Sequence, residues 1–245
     1  MMKAFILAGG KATRLYPMTL IMPKQLIMIN GFPVIKYILD HCMKNDINEI
    51  VLCISDNSFV NQFQNAISTK LYPNLNIDFS IAPESFNTGG RLFAAKDFMD
   101  EDDFVVYYGD IITDLNLRAM INFHKMQSKK GCECTLATVG TKELECGVAL
   151  QKEKISKITF FKERPRISDI SDFKVNVGIS VCNKSVLQYC QDKSDFYSDV
   201  IPELIKTGAP VYGYEVDKPF IDIGTLKAIE DATRSLNQNT KKESK

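Results

Sequence analysis

Short apolar runs alternate with amphipathic segments through the first half of the chain. Four runs have the length and apolar content of strands: Lys3–Ala8, Glu49–Ile54, Asn76–Ile81 and Phe104–Tyr108. The segments around them carry apolar residues at helical spacing, which predicts helices over Pro33–Lys44, Ser58–Ile67, Arg91–Met99 and Leu117–Met126. Repeated strand–helix units predict an α/β fold, in which a mostly parallel sheet is flanked by helices.

The pattern changes after residue 130, where β-branched strands dominate. They are predicted at Thr135–Val139, Val148–Gln151, Ile155–Phe161 and Lys174–Val181, and they indicate an antiparallel β extension. The remaining predicted elements are Lys184–Cys190 and Val200–Lys206 as helices, Val211–Val216 and Phe220–Asp222 as strands, and a last helix from Thr225 to Leu236. We therefore expect one domain over residues 1–237 and a flexible tail over residues 238–245.

The charge balance argues against two classes of partner. Thirty basic residues balance thirty acidic ones, so we expect neither nucleic acid nor a membrane surface as a partner. No apolar run approaches the length of a membrane span. The first residues lack the three regions of a signal peptide, and the sequence therefore predicts a cytoplasmic protein.

The cysteines do not form a metal-binding pattern. There are seven Cys and two His, and an odd number of cysteines does not suggest a disulfide framework. Cys132 and Cys134 form a CxC pair, but no second pair has the spacing of zinc ligands. We therefore interpret the cysteines as small buried hydrophobic residues.

The stretch LAGGKATRLYPMTLIMPKQL places glycines and cations directly after the first predicted strand. In a parallel sheet, ligands bind outside the carboxyl ends of the strands. Glycines there let backbone N–H groups approach a phosphate, and Lys11, Arg14 and Lys24 add positive charge. The stretch matches neither the GxxxxGK[ST] loop nor the GxGxxG turn, which disfavours a dinucleotide dehydrogenase. It predicts a phosphate-binding loop of another kind.

This stretch resembles the signature of the sugar-1-phosphate nucleotidylyltransferases, G-G-x-G-T-R-L-x-P-x-T followed by P-K. The matching positions are Gly9, Gly10, Thr13, Arg14, Leu15, Pro17, Thr19, Pro23 and Lys24. Further segments resemble the family in order over residues 2–232: FNTGGRLFAA, VVYYGDIITD, FFKERP, VNVGISV, DVIPELI and FIDIGT. The resemblance implies a Rossmann-like core that transfers a nucleoside monophosphate from an NTP to a sugar 1-phosphate, with Mg²⁺ as cofactor. Family members are often dimers or tetramers, so a homo-oligomer stays open.

The resemblance also implies roles for individual residues. Arg14 and Lys24 are the catalytic cations, and Asp110 and Asp222 are the Mg²⁺ ligands. The implied nucleotide-binding residues are Leu7, Ala8, Gly9, Gly10, Ala12, Thr13, Asn87, Thr88, Gly89 and Gly109. The implied sugar-phosphate-binding residues are Glu163, Arg164, Asn176 and Gly178.

Two positions depart from the family pattern. Ala12 replaces the third glycine of the signature, and its methyl group would obstruct a loop that needs positive φ. Arg164 stands where the family has Lys, and these two cations do not exchange freely. Lys162 is a second candidate for that role, although Arg164 is the better positional match. Asp114 is an alternative metal residue that we expect instead to help start the next helix.

Three alternatives stay open at this point. The departures at Ala12 and Arg164 fit a non-catalytic, nucleotide-sensing relative. A cytidylyltransferase for a non-sugar phosphate such as phosphocholine would need an aromatic cage to bind the quaternary ammonium group. The chain has no Trp, though Tyr and Phe could form such a cage. The sequence does not decide whether the nucleotide is CTP, dTTP, UTP or GTP.

Overall fold

The computed structural model describes residues 2–55, 58–67, 72–140, 147–150, 155–163, 173–217 and 220–243. Its strands are β1 Lys3–Leu7, β2 Met28–Ile29, β3 Phe32–Pro33, β4 Glu49–Ile54, β5 Asn76–Ile81, β6 Asp103–Tyr108, β7 Ile111–Thr113, β8 Cys134–Val139, β9 Gly147–Leu150, β10 Ile155–Lys157, β11 Phe160–Glu163, β12 Phe173–Asn183, β13 Val211–Glu215 and β14 Phe220–Asp222. Its α-helices are α1 Val34–Lys44, α2 Ser58–Ala66, α3 Thr88–Ala94, α4 Leu117–Ser128, α5 Ile201–Lys206 and α6 Leu226–Glu243.

The central sheet is mostly parallel. Strands β5, β4, β1 and β6 lie side by side and run in the same direction. β12 enters antiparallel between β6 and β8, and β13 pairs parallel with β8. β10 and the β9–β11 pair extend this sheet by antiparallel pairing. The predicted α/β fold with an antiparallel extension is therefore confirmed.

Both faces of the sheet are covered, which explains the nearly continuous apolar strands. Alternate residues of β1 point to opposite faces. Ala4 and Ile6 belong to a buried cluster with α1, whereas Phe5 and Leu7 belong to a second cluster with residues of α3 and α5. Among the described residues, no helix combines the length and apolar character needed to cross a membrane.

Several elements differ from the predictions in their boundaries or type. The helix predicted over Arg91–Met99 starts earlier as α3 and gives way to a 3₁₀ turn at Lys96–Phe98. The predicted strand Ile155–Phe161 is divided into β10 and β11. The segment Lys184–Tyr189 is a 3₁₀ helix.

The last helix is longer than predicted. Thr225 caps its start, because its Oγ1 accepts a hydrogen bond from the Ala228 N–H at 3.2 Å. The helix continues past the predicted end at Leu236 to Glu243, and the intervening sequence contains no Gly or Pro to end it. The single domain over 1–237 and the flexibility of the tail stay predictions.

Candidate active site

Two loops leave the same edge of the sheet because β1 and β6 are adjacent and parallel. β1 ends at Leu7, and the buried Ala8 follows it. The Gly109 N–H, directly after β6, donates to the Leu7 carbonyl at 3.1 Å. A side chain at Gly109 would lie 2.9 Å from that carbonyl oxygen, so glycine permits this approach. The loop Gly9–Arg14, which follows β1, and Asp110, which follows β6, therefore start from adjacent strand ends.

A small antiparallel ribbon brings the second carboxylate to this edge. β14 pairs with β7 so that Asp222 lies opposite Ile111. The Ile223 N–H donates to the Asp110 carbonyl at 3.0 Å. Asp110 and Asp222 come from opposite halves of the sequence, and backbone pairing places them together.

We call Arg14, Lys24, Asp110 and Asp222 the charged cluster. Lys24 Nζ donates to Asp110 Oδ2. The Arg14 guanidinium lies beside Gly224, where an added Cβ would be 2.8 Å from Arg14 Nη2 and 3.0 Å from Asp222 Oδ1. Burial and then the nearby Asp110 raise the pKa of the Asp222 carboxyl, whereas Lys24, the Gly224 N–H and Arg14 lower it.

The charged cluster fits a divalent cation. Two carboxylates close enough to raise a pKa repel each other when both are ionised, and a cation bound to both would relieve that repulsion. The part of the chain that the structure describes holds no group of three or more His, Cys, Asp or Glu side chains suited to a metal. Mg²⁺ is commonly bound by one or two carboxylates together with substrate phosphates. Asp110 and Asp222 match that donor set.

The glycine-containing loop adopts left-handed backbone at two positions. Gly10 has φ +127° and no neighbour that would obstruct a side chain. Ala12 has φ 44°, so the residue that replaces the family glycine sits in the conformation that disfavours a methyl group. The Ala12 carbonyl accepts hydrogen bonds from the Leu15 N–H at 2.9 Å and the Thr19 hydroxyl at 3.0 Å. Thr13 and Arg14 follow in the 3₁₀ turn that these contacts hold.

Arg91 lies directly beside this loop, and it is not among the residues predicted to form the site. A Cβ at Gly9 would be 2.4 Å from Arg91 Nε, so any larger residue there would displace the Arg91 side chain. Arg91 is 5% exposed, and burial lowers its pKa. Its Nε has no hydrogen-bond partner among the described residues. An arginine in the FNTGGR segment, next to a cationic loop, was the available sequence signal.

Gln25 is a second residue of this region that is not among the predicted site residues. It follows Lys24 in the 3₁₀ turn Lys24–Leu26 and is 1% exposed. Its amide lies against Gly109, where an added Cβ would be 3.1 Å from Gln25 Nε2. Neither polar atom of this amide finds a partner within the described ranges, which is unusual for a buried amide.

A second set of polar side chains includes Tyr108, which ends β6 two residues before Asp110. We call Thr88, Tyr108, Ser180, Asp195 and Tyr197 the tyrosine network. The Thr88 hydroxyl accepts from Tyr108 Oη at 3.2 Å and from the N–H of residue 196 at 2.8 Å, and it donates to Asp195 Oδ2 at 2.7 Å. The Tyr108 and Tyr197 rings are 4.8 Å apart between centroids. Tyr197 and Ser180 hydroxyls are 2.8 Å apart.

The other predicted residues of this edge have structural contacts of their own. The Asn87 side-chain amide donates to the Lys193 carbonyl at 2.7 Å. The Gly89 N–H donates to the Ser194 carbonyl at 2.9 Å, and a Cβ at Gly89 would be 2.8 Å from that oxygen. Asn87 and the first turn of α3 are therefore joined closely to residues 192–195, a long-range contact that no local sequence pattern predicted.

The predicted sugar-side residues lie at the start of β12 and the end of β11. Asn176 is 3% exposed, and its Oδ1 accepts from the Gly178 N–H at 3.3 Å. Gly178 has φ +82°, and a Cβ there would be 3.1 Å from Ile111 Cγ1. Glu163 ends β11 and is half-buried. Burial raises the pKa of Tyr108, and the negative charge of Glu163 adds to that increase. Arg164 lies outside the described residues.

The alternative candidates lie elsewhere or have other roles. Asp114 lines a cleft of about 290 Å³ with residues of α1 and α6, and neither Asp110 nor Asp222 lines that cleft. The expectation that Asp114 starts α4 is wrong, because Asn116 Oδ1 accepts from the Ala119 N–H at 2.9 Å as the N-cap. Lys162 is exposed on β11. Cys132 and Cys134 are buried thiols.

Known proteins identify the family. A model of the nucleotidyl transferase family matches residues 3–239. A UTP–glucose-1-phosphate uridylyltransferase from a Synechocystis species is 28% identical over 250 residues, which cover 96% of this chain and 63% of that protein. A mannose-1-phosphate guanyltransferase from Aspergillus fumigatus is 30% identical over 234 residues, which cover 92% of this chain and 62% of that protein. The chain thus spans less than two thirds of the length of these relatives.

Solved structures show the same fold. The UTP-bound UGPase from Acinetobacter baumannii matches with a TM-score of 0.81 at 17% identity, covering 96% of this chain and 93% of that one. HddC from Yersinia pseudotuberculosis, complexed with GMP-PN, matches with a TM-score of 0.77 at 22% identity, covering 96% of this chain and 100% of that one. The match of the family model over nearly the whole chain decides the assignment: this chain belongs to the nucleotidyl transferase family.

Proposed function

We propose that this protein transfers a nucleoside monophosphate from an NTP to a sugar 1-phosphate, giving an NDP-sugar and pyrophosphate. The observation that carries the proposal is the charged cluster at the carboxyl edge of a parallel sheet. Two cations and two carboxylates in one site suit the joining of two polyanions. The curated relatives are named for glucose 1-phosphate and mannose 1-phosphate, which supports a hexose 1-phosphate as acceptor.

The reaction forms one bond and breaks one bond. A phosphate oxygen of the sugar 1-phosphate attacks the α-phosphorus of the NTP, and the bond from that phosphorus to the bridging oxygen of the β-phosphate breaks. Pyrophosphate leaves with the electron pair of the broken bond. Because the protein forms no covalent bond, its work is to position two polyanions and to stabilise the charge that develops.

The residues of the charged cluster divide this work. Arg14 and Lys24 hold the triphosphate and the charge on the leaving group, while backbone N–H groups of the Gly10–Thr13 loop cradle the phosphates. Asp110 and Asp222 would hold Mg²⁺, which supplies positive charge to the phosphates of both substrates when bound. Without these cations, repulsion between the two substrates would oppose the encounter.

We assign the remaining predicted residues to the nucleoside of the NTP and to the sugar 1-phosphate. We infer that the nucleoside lies over Leu7, Ala8, Asn87 to Gly89 and Gly109, at the ends of β1 and β6. The sugar and its phosphate lie toward Glu163, Arg164, Asn176 and Gly178. The Thr88 hydroxyl already has three protein partners, so we expect Thr88 to shape the pocket rather than to donate to the nucleotide. We also infer that the protein works in the cytoplasm, where the sequence predicts it to lie.

A substrate panel tests the proposal. The protein is incubated with CTP, dTTP, UTP or GTP, each paired with glucose 1-phosphate, mannose 1-phosphate or phosphocholine, in Mg²⁺, and released pyrophosphate is measured. We expect pyrophosphate with at least one NTP and a hexose 1-phosphate. Turnover with phosphocholine alone would replace the sugar acceptor. Nucleotide binding without turnover in any pair would favour the nucleotide-sensing alternative.

A matched pair of variants ties turnover to the site. Asp110→Asn should abolish pyrophosphate release because the ligand loses its charge, while Asp46→Asn should leave the rate unchanged. Asp46 is an exposed carboxylate that pairs with Arg118, away from the charged cluster. Equal rates for wild type and Asp110→Asn would remove the charged cluster from the reaction.

A further inference from the structure

Lys24 and Asp110 form an ion pair inside the charged cluster. Lys24 Nζ contacts Asp110 Oδ2, and the two side chains are only 19% and 13% exposed. The backbone at Lys24 is anchored, because the Leu26 N–H donates to the Pro23 carbonyl at 2.9 Å and Gln25 is buried against Gly109. A change of partner for Lys24 therefore requires only rotation of its own side chain.

This ion pair occupies an oxygen that a metal would use. A divalent cation on Asp110 and an ammonium group on the same carboxylate would repel each other at short range. The described residues offer two carboxylates and no larger group of metal-binding side chains, so much of the coordination of Mg²⁺ would come from phosphate oxygens and water. Those phosphates are also the natural new partner for a lysine.

We propose that Lys24 is a built-in competitor of the metal ion. Lys24 neutralises Asp110 in the free protein and moves to the triphosphate when nucleotide and metal bind together. This inference rests on the proposed function, since it takes Asp110 and Asp222 as the metal ligands. It follows that the protein binds a divalent ion weakly by itself, and that removing the positive charge of Lys24 strengthens that binding.

The test measures binding of Mn²⁺ alone, without nucleotide, from the electron paramagnetic resonance signal of the free ion. Lys24→Met, which keeps the length of the side chain but removes its charge, should bind Mn²⁺ at least about tenfold more tightly than wild type. Lys24→Arg should stay near wild type because the charge remains. Lys36→Met is the matched control, since Lys36 forms its ion pair with Asp40 on α1.

Two further measurements test whether the added Mn²⁺ affinity depends on Asp110 and whether it is detected in a destabilised variant. Adding Asp110→Asn to Lys24→Met should remove the gain in Mn²⁺ affinity. Mn²⁺ should also raise the melting temperature of Lys24→Met more than that of wild type, because the ion replaces the lost charge, and this readout works for a destabilised variant. The proposal is overturned if wild type binds Mn²⁺ as tightly as Lys24→Met, if Lys24→Arg gains as much, or if the gain survives Asp110→Asn. None of these assays needs turnover, so a failure of the Mn²⁺ prediction is distinguished from a failure of the proposed function, which would show as missing pyrophosphate.

Discussion

The charged cluster and the tyrosine network both include a residue at or just after the end of β6, but they satisfy their polar groups in different ways. In the tyrosine network, the hydroxyl of Thr88 alone takes part in three hydrogen bonds, and Tyr197 pairs with Ser180. In the charged cluster, Asp222 is buried near a second carboxylate, and its pKa is raised for both reasons. The first region is complete in itself, whereas the second holds like charges close together.

The difference shows how the fold separates stability from function. A region whose groups satisfy one another adds to the free energy of unfolding and positions its neighbours. A region that holds like charges together gives up stability, which a bound cation or substrate restores. Substitutions in the charged cluster should therefore cost activity and spare the fold, whereas substitutions in the tyrosine network should cost both.

The largest expected effect is the loss of activity in Arg14→Ala. We expect the rate of pyrophosphate release to fall by about a thousandfold, because a preorganised cation near the phosphates is lost. The melting temperature should change by less than about 2 °C, since a loop cation contributes little to folding. Arg118→Ala removes an exposed arginine that pairs with Asp46 and should change neither quantity. A large fall in the melting temperature of Arg14→Ala would show that Arg14 supports the fold, and it would contradict the proposed difference between the charged cluster and the tyrosine network.

Thr88→Val should destabilise the protein and reduce its activity together. Valine keeps the shape but leaves Tyr108, Asp195 and the N–H of residue 196 without their shared partner. We expect the free energy of unfolding to fall by about 2 kcal/mol, measured by urea denaturation. Thr88→Ser retains the hydroxyl and is the control, with a smaller loss. An unchanged midpoint for Thr88→Val would show that the tyrosine network does not support the fold.

Asp222→Asn should increase the stability of the protein, in contrast to the loss expected for Thr88→Val. The folded state raises the pKa of Asp222, so its contribution to stability is present at low pH and is lost as the pH rises through the raised pKa. At neutral pH in EDTA, the variant should therefore be more stable than wild type, although it is inactive.

Below the ordinary Asp pKa of about 3.9, wild type and Asp222→Asn should have nearly equal stability. Asp231→Asn, on the exposed surface of α6, should leave the pH profile unchanged. Thermal melts across the pH range give the comparison. A variant that is less stable than wild type at every pH would mean that the charges of the cluster do not oppose folding.

The smallest expected effect is a gain in stability for Ala12→Gly. Ala12 has φ 44°, a conformation that costs an L-residue about 1–2 kcal/mol, and part of this gain is offset by the greater chain entropy of glycine. We expect a net increase of up to about 1 kcal/mol. Ala119→Gly, inside α4, should lose about 1 kcal/mol and controls for the chemical change. Equal losses in both variants would show that Ala12 is not strained.

The sequence predicted the charged cluster better than the tyrosine network because the two differ in how local their signals are. Arg14, Lys24 and Asp110 stand just after apolar runs or within a matched signature, where position along the chain already indicates a ligand edge. Asp195 and Tyr197 lie in a short segment whose structural role depends on its contacts with Thr88 and Tyr108, which are distant in the sequence. Such long-range contacts have no local pattern.

The same reasoning explains the error at α3. The core spacing of Leu92, Ala95 and Met99 predicts a helix from Arg91 onward and gives no signal for the two glycines before it. In the folded protein, a Cβ at Gly90 would lie 2.1 Å from the Asp192 carbonyl oxygen. Glycine is needed for that close approach, and the helix begins at Thr88 in spite of its intrinsic preference.

The β7–β14 ribbon has a consequence for the nascent protein. Asp110 is synthesised early, but its partner carboxylate arrives only when β14 has been translated and has paired with β7. This contact spans a long stretch of sequence and is among those expected to form slowly. A ribosome-bound or truncated chain that ends before β14 can therefore fold much of its sheet and still lack one of the two acidic groups. A chain that stops before β14 therefore has Asp110 in place but lacks the Asp222 carboxylate of the charged cluster.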